Sequence, residues 1–471
     1  MQKCGRFPRL VLVLMAATLW LNAARPTQSS PSQVETTILP QWFFESDQSA
    51  ASLGFAVSNA GDVNGDGYED ILVGAPKYNG GTYKAGTVFA FYGSAGGLSP
   101  WPSWTFGGDQ TGADFGFAVA AAGDVNHDGF DDIVIGAPRY NGDQSREGRV
   151  YAFYGSAAGL PATPDWQMES NLVEAYLGWS VASAGDVNKD GYADVLIGAK
   201  WATNTFTNEG LAQLYLGSAA GLASAPAWQR FGEQTGASFG TAVSTAGDLN
   251  QDGYADFMVG APQHNGSEED AGEVQIFCGA SGGPAAEPCQ IISGTQLSEQ
   301  LGTALDGGGD VNGDDLDDII IGAPGQNMVK LYSGLTTAPV WTAVSDQDGA
   351  QFGTAVHLNS DINGDSYADL VIGAYTYSAG QATEGKIFVF YGSLTGLSKN
   401  PDWTAEGNKA EAEFGFSLGG SDVDGDDQAE LLVGSPNYRK ETELRGRAFL
   451  FEGIPGSTTG YTIFLPFLTS Q

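Results

Sequence analysis

A nine-residue acidic string occurs seven times along this chain, and it limits the possible folds more than any other feature. The strings are DVNGDGYED (62–70), DVNHDGFDD (124–132), DVNKDGYAD (186–194), DLNQDGYAD (248–256), DVNGDDLDD (310–318), DINGDSYAD (361–369) and DVDGDDQAE (422–430). Their starts lie 62 residues apart four times, then 51 and 61. Each follows a Phe-Gly or Leu-Gly pair and precedes an apolar run that ends in Gly-Ala-Pro or a near variant. Such a period indicates one supersecondary unit repeated along the whole chain.

Each repeat contains four short segments with β-strand character. In the first repeat they are FAVSNAG (55–61), ILVGAP (71–76), TVFAFYG (87–93) and SWTFGG (103–108). Glycine-rich turns and Asn-Gly pairs separate them, as in β-hairpins. Repeated four-stranded units favour radial closure, which protects the sheet edges. The predicted fold is all-β: a seven-bladed β-propeller of four-stranded antiparallel blades, with strands A to D in each.

The last blade lacks its own fourth strand. Most repeats carry a tryptophan in strand D, namely Trp104, Trp166, Trp228, Trp341 and Trp403. The seventh repeat ends at RAFLFEG (447–453), and the missing pattern appears at the N-terminus as LPQWFFES (39–46). We therefore predict that the N-terminal strand closes the ring as the outer strand of blade 7. The alternative treats residues 25–46 as a disordered leader.

Of the three cysteines, Cys4 lies in an N-terminal segment predicted to be a cleaved export signal, so two remain in the mature chain. In an exported chain, Cys278 and Cys289 favour one disulfide over a metal site. Cys289 is expected at the tryptophan position of blade 4, so the disulfide would join strands C and D there.

The acidic strings have the composition of calcium loops. Oxygen-bearing side chains stand at positions 1, 3, 5 and 9, and position 7 can offer its backbone carbonyl. Glycine at position 6 in the first four loops permits the positive φ that such a curled loop needs. We predict four to seven Ca²⁺ per chain. The candidate ligands are Asp62, Asn64, Asp66, Tyr68 and Asp70; Asp124, Asn126, Asp128, Phe130 and Asp132; Asp186, Asn188, Asp190, Tyr192 and Asp194; Asp248, Asn250, Asp252, Tyr254 and Asp256; Asp310, Asn312, Asp314, Leu316 and Asp318; Asp361, Asn363, Asp365, Tyr367 and Asp369; and Asp422, Asp424, Asp426, Gln428 and Glu430.

Acidic strings of this kind also occur in EF-hands and in turns that bind no metal. An EF-hand needs a glutamate at position 12 and flanking helices, but position 12 is valine or isoleucine in all seven strings, inside a predicted strand. The other interpretation is acidic turns without metal. Loops 5 to 7 depart from the pattern: Asp315, Ser366 and Asp427 replace the glycine, and Glu430 replaces the last aspartate.

The ends of the chain suggest export. Basic residues, an apolar run from Leu10 to Leu21 and small residues after it predict a signal peptide over 1–24 rather than a membrane anchor. The remaining boundaries are a leader at 25–39, the propeller at 40–453 and an apolar tail at 454–471, which is either a sorting signal or packed against the ring. No later segment is apolar enough to cross a membrane. The formal charge of −36 argues against nucleic acid and anionic membranes. We expect a secreted or cell-surface monomer.

These residues resemble a known family. The Phe-Gly pair, the acidic loop and the Gly-Ala-Pro are similar to FG-GAP repeats, the units of the integrin α-chain N-terminal propeller. The resemblance covers about residues 40–453 and implies calcium at the A–B loops and a role in adhesion or ligand binding. Only eighteen residues follow Gly453, so the sequence looks like the propeller alone, without leg domains or a membrane helix.

No catalytic motif stands out. The three histidines, His127, His264 and His357, have no spacing typical of zinc sites, and the serines of the GSAGGL-like turns are turn residues. We therefore expect a protein that is not an enzyme. A catalytic propeller would need an acid pair outside the calcium loops.

The long B–C loops are the predicted binding face, opposite the calcium loops. Aromatic and arginine residues are typical of binding hot spots, although they can also simply cover the blade ends. The candidates are Tyr78, Tyr83, Arg139, Tyr140, Trp201, Phe206, His264, Tyr375, Tyr377, Tyr438 and Arg439. The short B–C loop of blade 5 (325–328) predicts a notch in this face. The expected partner is an extracellular protein, and the alternative is a glycan bound by a lectin-type propeller.

Overall fold

The computed structural model describes residues 40–453 and 461–464. The predicted signal peptide (1–24), the leader (25–39) and the tail apart from 461–464 lie outside these residues. Seven antiparallel sheets follow one another along the chain. The A strands of neighbouring blades contact each other all the way round, including those of blades 7 and 1, so the sheets close into a ring. The predicted seven-bladed propeller is confirmed.

The strands of each blade are given in the order A to D. Blades 1 to 4 comprise Ala56–Gly61, Asp70–Ala75, Thr87–Phe91 and Trp104–Gly107; Ala118–Gly123, Asp132–Ala137, Arg149–Phe153 and Trp166–Glu169; Leu177–Gly185, Asp194–Ala199, Leu211–Tyr215 and Trp228–Phe231; and Ala242–Gly247, Asp256–Ala261, Glu273–Phe277 and Gln290–Ser293. Blades 5 to 7 comprise Leu305–Gly309, Asp318–Ala323, Met328–Ser333 and Trp341–Val344; Phe352–Ser360, Asp369–Ala374, Lys386–Phe390 and Trp403–Glu406; and Ser417–Ser421, Glu430–Ser435, Arg447–Phe451 and Trp42–Glu45.

The apolar core is divided among the seven junctions between blades. Every residue of the seven B strands is buried, since each B strand lies inside its sheet with a blade on either face. Seven apolar clusters form, and each one joins side chains of two adjacent blades. This explains why the B segments are continuous apolar runs rather than alternating ones.

The Phe-Gly or Leu-Gly pair joins blades 1, 2, 3, 4, 5 and 7 to the blade before each of them. Phe115 is fully buried and forms a parallel bridge with Gly86, which immediately precedes the C strand of blade 1. Gly86 has φ of 94°, and a Cβ there would collide with the Phe115 backbone. Equivalent bridges join Gly148 to Leu177, Gly210 to Phe239, Gly272 to Leu301, Gly385 to Phe414 and Gly446 to Leu53. The motif therefore marks a close backbone contact between blades.

The N-terminal strand closes the ring as predicted. Trp42–Glu45 pairs antiparallel with Arg447–Phe451, with Trp42 opposite Leu450 and Glu45 opposite Arg447. The alternative of a disordered leader is wrong for residues 42–45.

The predicted disulfide is present, but its register differs from the expectation. Cys278 and Cys289 are bonded, with their Cα atoms 5.8 Å apart. Gln290, not Cys289, occupies the tryptophan position, because Gln290 pairs with Ile276 as Trp228 pairs with Leu214. The disulfide therefore precedes strand D by one residue.

Three short elements complete the described chain. Tyr461–Phe464 pairs parallel with Trp403–Glu406 as a fifth, outermost strand of blade 6, so this part of the tail packs against the ring. A small hairpin, Arg439–Lys440 with Glu443–Leu444, extends the B–C loop of blade 7. A 3₁₀ turn, Pro324–Gln326, replaces the long B–C loop in blade 5.

Candidate functional site

The first residue of each acidic loop organises the backbone of that loop. Asp62 accepts hydrogen bonds from the backbone N–H groups of Gly65 (2.7 Å), Asp66 (3.1 Å) and Gly67 (2.8 Å). The bond from position 6 to the position 1 carboxylate recurs in all seven loops. In loops 2 to 7 it joins Gly129 to Asp124, Gly191 to Asp186, Gly253 to Asp248, Asp315 to Asp310, Ser366 to Asp361 and Asp427 to Asp422.

Position 6 has positive φ in every loop, as the sequence predicts. Gly67 has φ of 90°, and the substituted loops retain the conformation, with 64° at Asp315, 72° at Ser366 and 67° at Asp427. Position 4 also has positive φ in all seven loops, including His127 at 59°. Sequence reasoning missed this second left-handed residue, because His, Lys and Gln occupy it in loops 2 to 4. The loop fold is therefore the same in all seven blades.

Positions 3 and 5 continue the curl. In loop 1 the side-chain oxygen of Asn64 accepts the Asp66 N–H (2.9 Å), and Asp66 accepts the Tyr68 N–H (3.1 Å). Loop 7 has an aspartate at position 3. There, carboxylate oxygens of Asp422, Asp424 and Asp426 lie within 4.8 Å of one another. Oδ1 of Asp424 is buried and has no hydrogen-bond partner among the described residues.

The carboxylate at position 9 is buried and bonded to the backbone. Asp70 is fully buried and accepts the N–H groups of Val63 (3.0 Å) and Gly93 (2.9 Å), so it ties the A–B loop to the end of strand C. Asp132, Asp194, Asp256 and Asp369 make the same two bonds. Asp318 and Glu430 make the first bond, with Val311 and Val423. Where both bonds are made, position 9 thus attaches the acidic loop to the buried end of strand C.

Burial and neighbouring charge both disfavour ionisation at position 9. Desolvation raises the pKa of Asp70 to about 7, and the carboxylates of Asp62 and Asp66 add to the rise. The same causes raise the pKa of Asp369 to about 8. A cation held by positions 1 and 5 would oppose this effect, because an opposite charge favours the ionised carboxylate.

The acidic loops are hydrogen-bonded to one another around the ring. The backbone N–H at position 8 donates to the position 1 carbonyl of the preceding blade's loop. The bonds run from Glu69 to Asp422, Asp131 to Asp62, Ala193 to Asp124, Ala255 to Asp186, Ala368 to Asp310 and Ala429 to Asp361. Between blades 4 and 5, the Asp317 carboxylate accepts the Asp248 N–H instead, at 2.6 Å. We call this the loop ring; it couples each candidate metal loop to the next blade.

These loops have the chemistry that Ca²⁺ requires. Hard oxygen donors from side chains at positions 1, 3 and 5 face a tightly curled backbone, and Asp424 Oδ1 in loop 7 has no hydrogen-bond partner in the described part of the chain. Position 9 is buried as well as bonded to backbone N–H groups, whereas positions 1, 3, 5 and 7 of loop 1 are partly or fully exposed, so the latter are the more accessible donors.

Most of the predicted residues of the B–C face pack against their own blade. Tyr78, Tyr377 and Tyr438 lie edge-on against strand C residues, with ring centroids 5.3 to 5.9 Å from Phe89, Phe388 and Phe449. Tyr140 stacks on Arg149, with 3.5 Å between the guanidinium carbon and the ring centroid. His264 lies beside Glu273, while Arg139 and Arg439 pair with Asp114 and Glu411. Tyr83 and Phe206 are exposed. This group therefore mainly covers the blade ends.

The other two candidates, Trp201 and Tyr375, belong to a continuous row of aromatic rings at the centre of this face. We call it the aromatic crescent: Tyr375, Phe416, Phe55, Phe117, Trp179 and Trp201, from blades 6, 7, 1, 2 and 3. Successive ring centroids lie 5.2, 4.9, 4.8, 4.7 and 5.7 Å apart. All six residues are partly exposed.

Sequence reasoning missed Phe55, Phe117, Trp179 and Phe416. The signal was present, because the residue after each Phe-Gly or Leu-Gly is aromatic in blades 1, 2, 3 and 7 and threonine in blades 4, 5 and 6. These residues stand at the start of the A strands, which line the axis of the ring. Residues at one equivalent position of successive repeats thus form a contiguous surface.

One cluster has the order of a hydrolytic triad. His357 Nδ1 lies 3.2 Å from Asp306 Oδ2, and His357 Nε2 lies 2.8 Å from Ser360 Oγ. Ser360 is buried, and a Cβ on Gly420 would overlap both Ser360 Oγ and His357 Nε2. The backbone of blade 7 therefore fills the space where a substrate carbonyl would have to approach the hydroxyl.

Two further observations concern the setting of the chain. Within residues 40–453 and 461–464, no helix has the length and apolar composition needed to cross a membrane. The disulfide favours an extracellular or cell-surface location.

Comparison with known proteins identifies the repeats. The family model described as the FG-GAP repeat matches residues 53–91, 115–153, 177–215, 239–277, 301–339, 352–390 and 414–448. Among solved structures, the Dos1 propeller covers 84% of this chain and 78% of its own at 12% identity, with a TM-score of 0.43.

Curated relatives include integrin chains and a phospholipase. Integrin alpha-PS2 of Drosophila melanogaster is 34% identical over 46% of this chain and 16% of its own length. Integrin alpha-5 of Xenopus laevis is 32% identical over 47% and 21%. Phosphatidylinositol-glycan-specific phospholipase D of Bos taurus is 28% identical over 77% and 49%. The chain thus spans half or less of the length of these relatives. Seven matched repeats, one in each blade, show that the chain belongs to the FG-GAP repeat family.

Proposed function

We propose that this chain is an extracellular, non-catalytic binding module that holds Ca²⁺ in its acidic loops and its ligand on the aromatic crescent. The observation that carries the proposal is the crescent itself: six partly exposed aromatic rings from five blades in unbroken contact at the centre of the B–C face. Contiguous exposed apolar surface on a soluble domain marks an interaction site, and aromatic residues dominate binding hot spots.

The residues that follow the Phe-Gly or Leu-Gly pair in the other blades are polar, so the apolar surface covers only one side of the centre of this face. In blades 4, 5 and 6 the equivalent residues are Thr241, Thr303 and Thr354. Each hydroxyl donates to the carbonyl three residues earlier, at 2.6 to 2.8 Å. Each hydroxyl proton is thus used within the protein and is not available to a ligand. A ligand would bind to the apolar arc and leave the threonine side unoccupied.

In this proposal calcium has a structural role. Ca²⁺ would be held by the side chains at positions 1, 3 and 5 and by the position 7 carbonyl of each loop, as at Asp62, Asn64, Asp66 and Tyr68. Bound Ca²⁺ supplies positive charge that offsets the clustered carboxylates. The chain's own loop ring then transmits that stabilisation from one blade to the next.

An adhesion role fits the integrin relatives, and we place it ahead of a lectin-type function. Adjacent rings in the middle of the crescent are tilted by 45 to 49° to one another. Such rings present edges as well as faces, which suits an inserted side chain better than a flat sugar ring stacked on one open face.

A hydrolase is the second candidate. It is favoured by the phospholipase D relative, which matches 77% of this chain, and by the Asp306–His357–Ser360 arrangement. The close approach of Gly420 argues against it. Exposure of the folded protein to a fluorophosphonate probe separates the two: no labelling supports a binding module, whereas labelling abolished by Ser360→Ala would establish a nucleophilic serine.

The binding test compares two surfaces of the same face. Wild type, Phe117→Ala and Tyr83→Ala are applied to arrays of purified extracellular protein domains and of glycans, in buffer with calcium. Phe117 lies in the crescent, while Tyr83 is 65% exposed and outside it. We expect Phe117→Ala to lose the bound protein domain and Tyr83→Ala to retain it. Equal retention by both variants, or binding to glycans alone, would contradict the proposed site.

A further inference from the structure

Lys200 stands at one end of the aromatic crescent in an unusual environment. Its ammonium nitrogen lies 4.6 Å from the Trp179 ring centroid and 5.7 Å from that of Trp201. Lys200 is partly buried, and within the described residues it forms no ion pair or hydrogen bond. Cation–π contacts stabilise an ammonium group but do not replace a counter-charge.

The other basic residues of the described chain are accommodated differently. Most pair with a carboxylate, as Lys330 does with Glu299 and Lys386 with Glu406. Lys84, Lys189 and Lys399 have no ion pair but are exposed to water. Lys409 is partly buried over the Tyr438 ring, and burial and the charge of Arg447 lower its pKa, but the carboxylate of Glu45 acts on it in the opposite direction. Lys200 therefore differs from all of these in being sheltered from water with aromatic neighbours alone.

Electrostatics agrees with the geometry. Burial lowers the pKa of Lys200, and no carboxylate among the described residues acts in the opposite direction. In a chain with 56 acidic residues and 20 basic ones, a sheltered lysine without an acidic neighbour is unexpected. Its charged form would gain from a carboxylate brought by another molecule, because opposite charges in a partly dehydrated site attract more strongly than in water.

The fold does not require a lysine here. Lys200 occupies the last position of the Gly-Ala-Pro motif, where blades 1, 2, 4, 5 and 7 have proline. Tyr375 is the other departure, in blade 6, and it forms the opposite end of the crescent. Both departures from proline therefore lie at the ends of the proposed binding surface, and one of them is charged.

We infer that the crescent recognises an acidic segment of a partner protein, with an apolar side chain on the aromatic rings and an adjacent aspartate or glutamate carboxylate at Lys200. This inference rests on the proposed function, since it names the ligand class of the same surface. The tilted rings accept an inserted apolar side chain. Lys200, at the end of the row, then favours ligands in which an aspartate or glutamate is adjacent to that side chain. An acidic glycan is the competing ligand that the test must separate.

The probes are two arrays. One carries synthetic heptapeptides with a single Asp or Glu next to Leu or Phe, together with matched Asn or Gln versions; the other carries glycans that include uronic and sialic acids. Wild type is compared with Lys200→Met, Lys200→Gln and Lys200→Arg. Lys84→Met is the control, since it removes an exposed lysine of the same face in blade 1. Thermal melting of each variant checks folding, and Lys200→Gln serves if Lys200→Met fails to fold.

We expect wild type to retain acidic peptides about tenfold better than their amide versions, as one partly dehydrated charge pair can provide. Lys200→Met and Lys200→Gln should reduce this ratio to about one, while Lys200→Arg and Lys84→Met preserve it. The inference is wrong if neutral variants keep the preference, if acidic glycans bind instead of peptides, or if no peptide binds. If acidic and amide peptides bind equally and Phe117→Ala abolishes both, the proposed function stands and the carboxylate inference fails.

Discussion

The indole N–H of Trp42 donates to the carbonyl oxygen of Ser99, 2.9 Å away, across the junction of blades 7 and 1. Trp104, Trp166 and Trp341 make the same bond to Pro161, Ala223 and Ser398, each 57 residues further along the chain. In blade 4 the side-chain amide of Gln290 replaces the indole and donates to Thr336. The closing strand therefore makes the same contact with its neighbour as the D strands of blades 1, 2 and 5 do.

Removal of the closing strand should destabilise the whole ring. A chain that starts at residue 48 lacks Trp42–Glu45, whereas one that starts at residue 36 retains it. We expect the shorter chain to lose about 3–5 kcal/mol, since Trp42 is only 8% exposed. It should also self-associate, because the edge of Arg447–Phe451 becomes free. Thermal melting and light scattering compare the two; equal stability and equal monomer fractions would mean that another contact closes the ring.

Calcium removal should lower the stability of all blades together. The loop ring links the acidic loops of neighbouring blades, so the loss of metal from several loops weakens every junction. We expect a chelator to lower the melting temperature in one cooperative transition, and added calcium to restore it by mass action. Elemental analysis should find four to seven calcium ions per chain. Absence of calcium together with an unchanged melting temperature would refute the metal assignment.

Two positions of one loop should separate metal binding from folding. Asp66→Ala removes a candidate ligand at the surface and should lose one calcium while leaving the metal-free stability nearly unchanged. Asp70→Ala leaves the buried N–H groups of Val63 and Gly93 without their acceptor. Each unpaired group costs about 1–3 kcal/mol, so metal-free Asp70→Ala should unfold at clearly lower denaturant concentration. Equal metal-free stabilities would show that position 9 does not hold the loop.

Ser366 should be the least favourable residue at position 6. It has φ of 72°, a conformation that costs a non-glycine residue about 1–2 kcal/mol. Ser366→Gly should therefore raise stability by about 1 kcal/mol and strengthen calcium binding by loop 6. The control is Gly67→Ser in loop 1, which should have the opposite effect of similar size. Denaturant unfolding and calcium titration measure both; a loss of stability in Ser366→Gly would contradict the argument.

The repeats made the fold predictable, because one pattern had to satisfy seven equivalent positions. The left-handed conformation at position 6 followed from glycine in four loops, and it holds at Asp315, Ser366 and Asp427 as well. The hydrogen bonds of buried Asp70 were harder to predict, because its partner Gly93 lies at the end of strand C, 23 residues further along the chain. In the sequence, an aspartate that binds a metal ion cannot be told from an aspartate that accepts hydrogen bonds from the backbone.

The errors arose where contacts between blades decide the outcome. Cys289 was aligned with the tryptophans by chemical character, whereas strand pairing places Gln290 there. The crescent was missed because Phe55, Phe117 and Trp179 are 62 residues apart in sequence and meet only at the ring axis. Six of the seven links of the loop ring are backbone bonds, which no side-chain pattern encodes.

The pairing of Trp42–Glu45 with Arg447–Phe451 also fixes how the module would be displayed. Trp42 opposes Leu450, so the first and last strands of blade 7 enter and leave at the same edge of the sheet. That edge is the one carrying the acidic loops, since Gly453 lies against Ile362 and Gln428. Chain attached before Trp42 would therefore approach from the calcium side, whereas Tyr461–Phe464 runs parallel to Trp403–Glu406 and ends toward the opposite face. The aromatic crescent, on the opposite face, would then point away from whatever is attached through the N-terminal side of the ring.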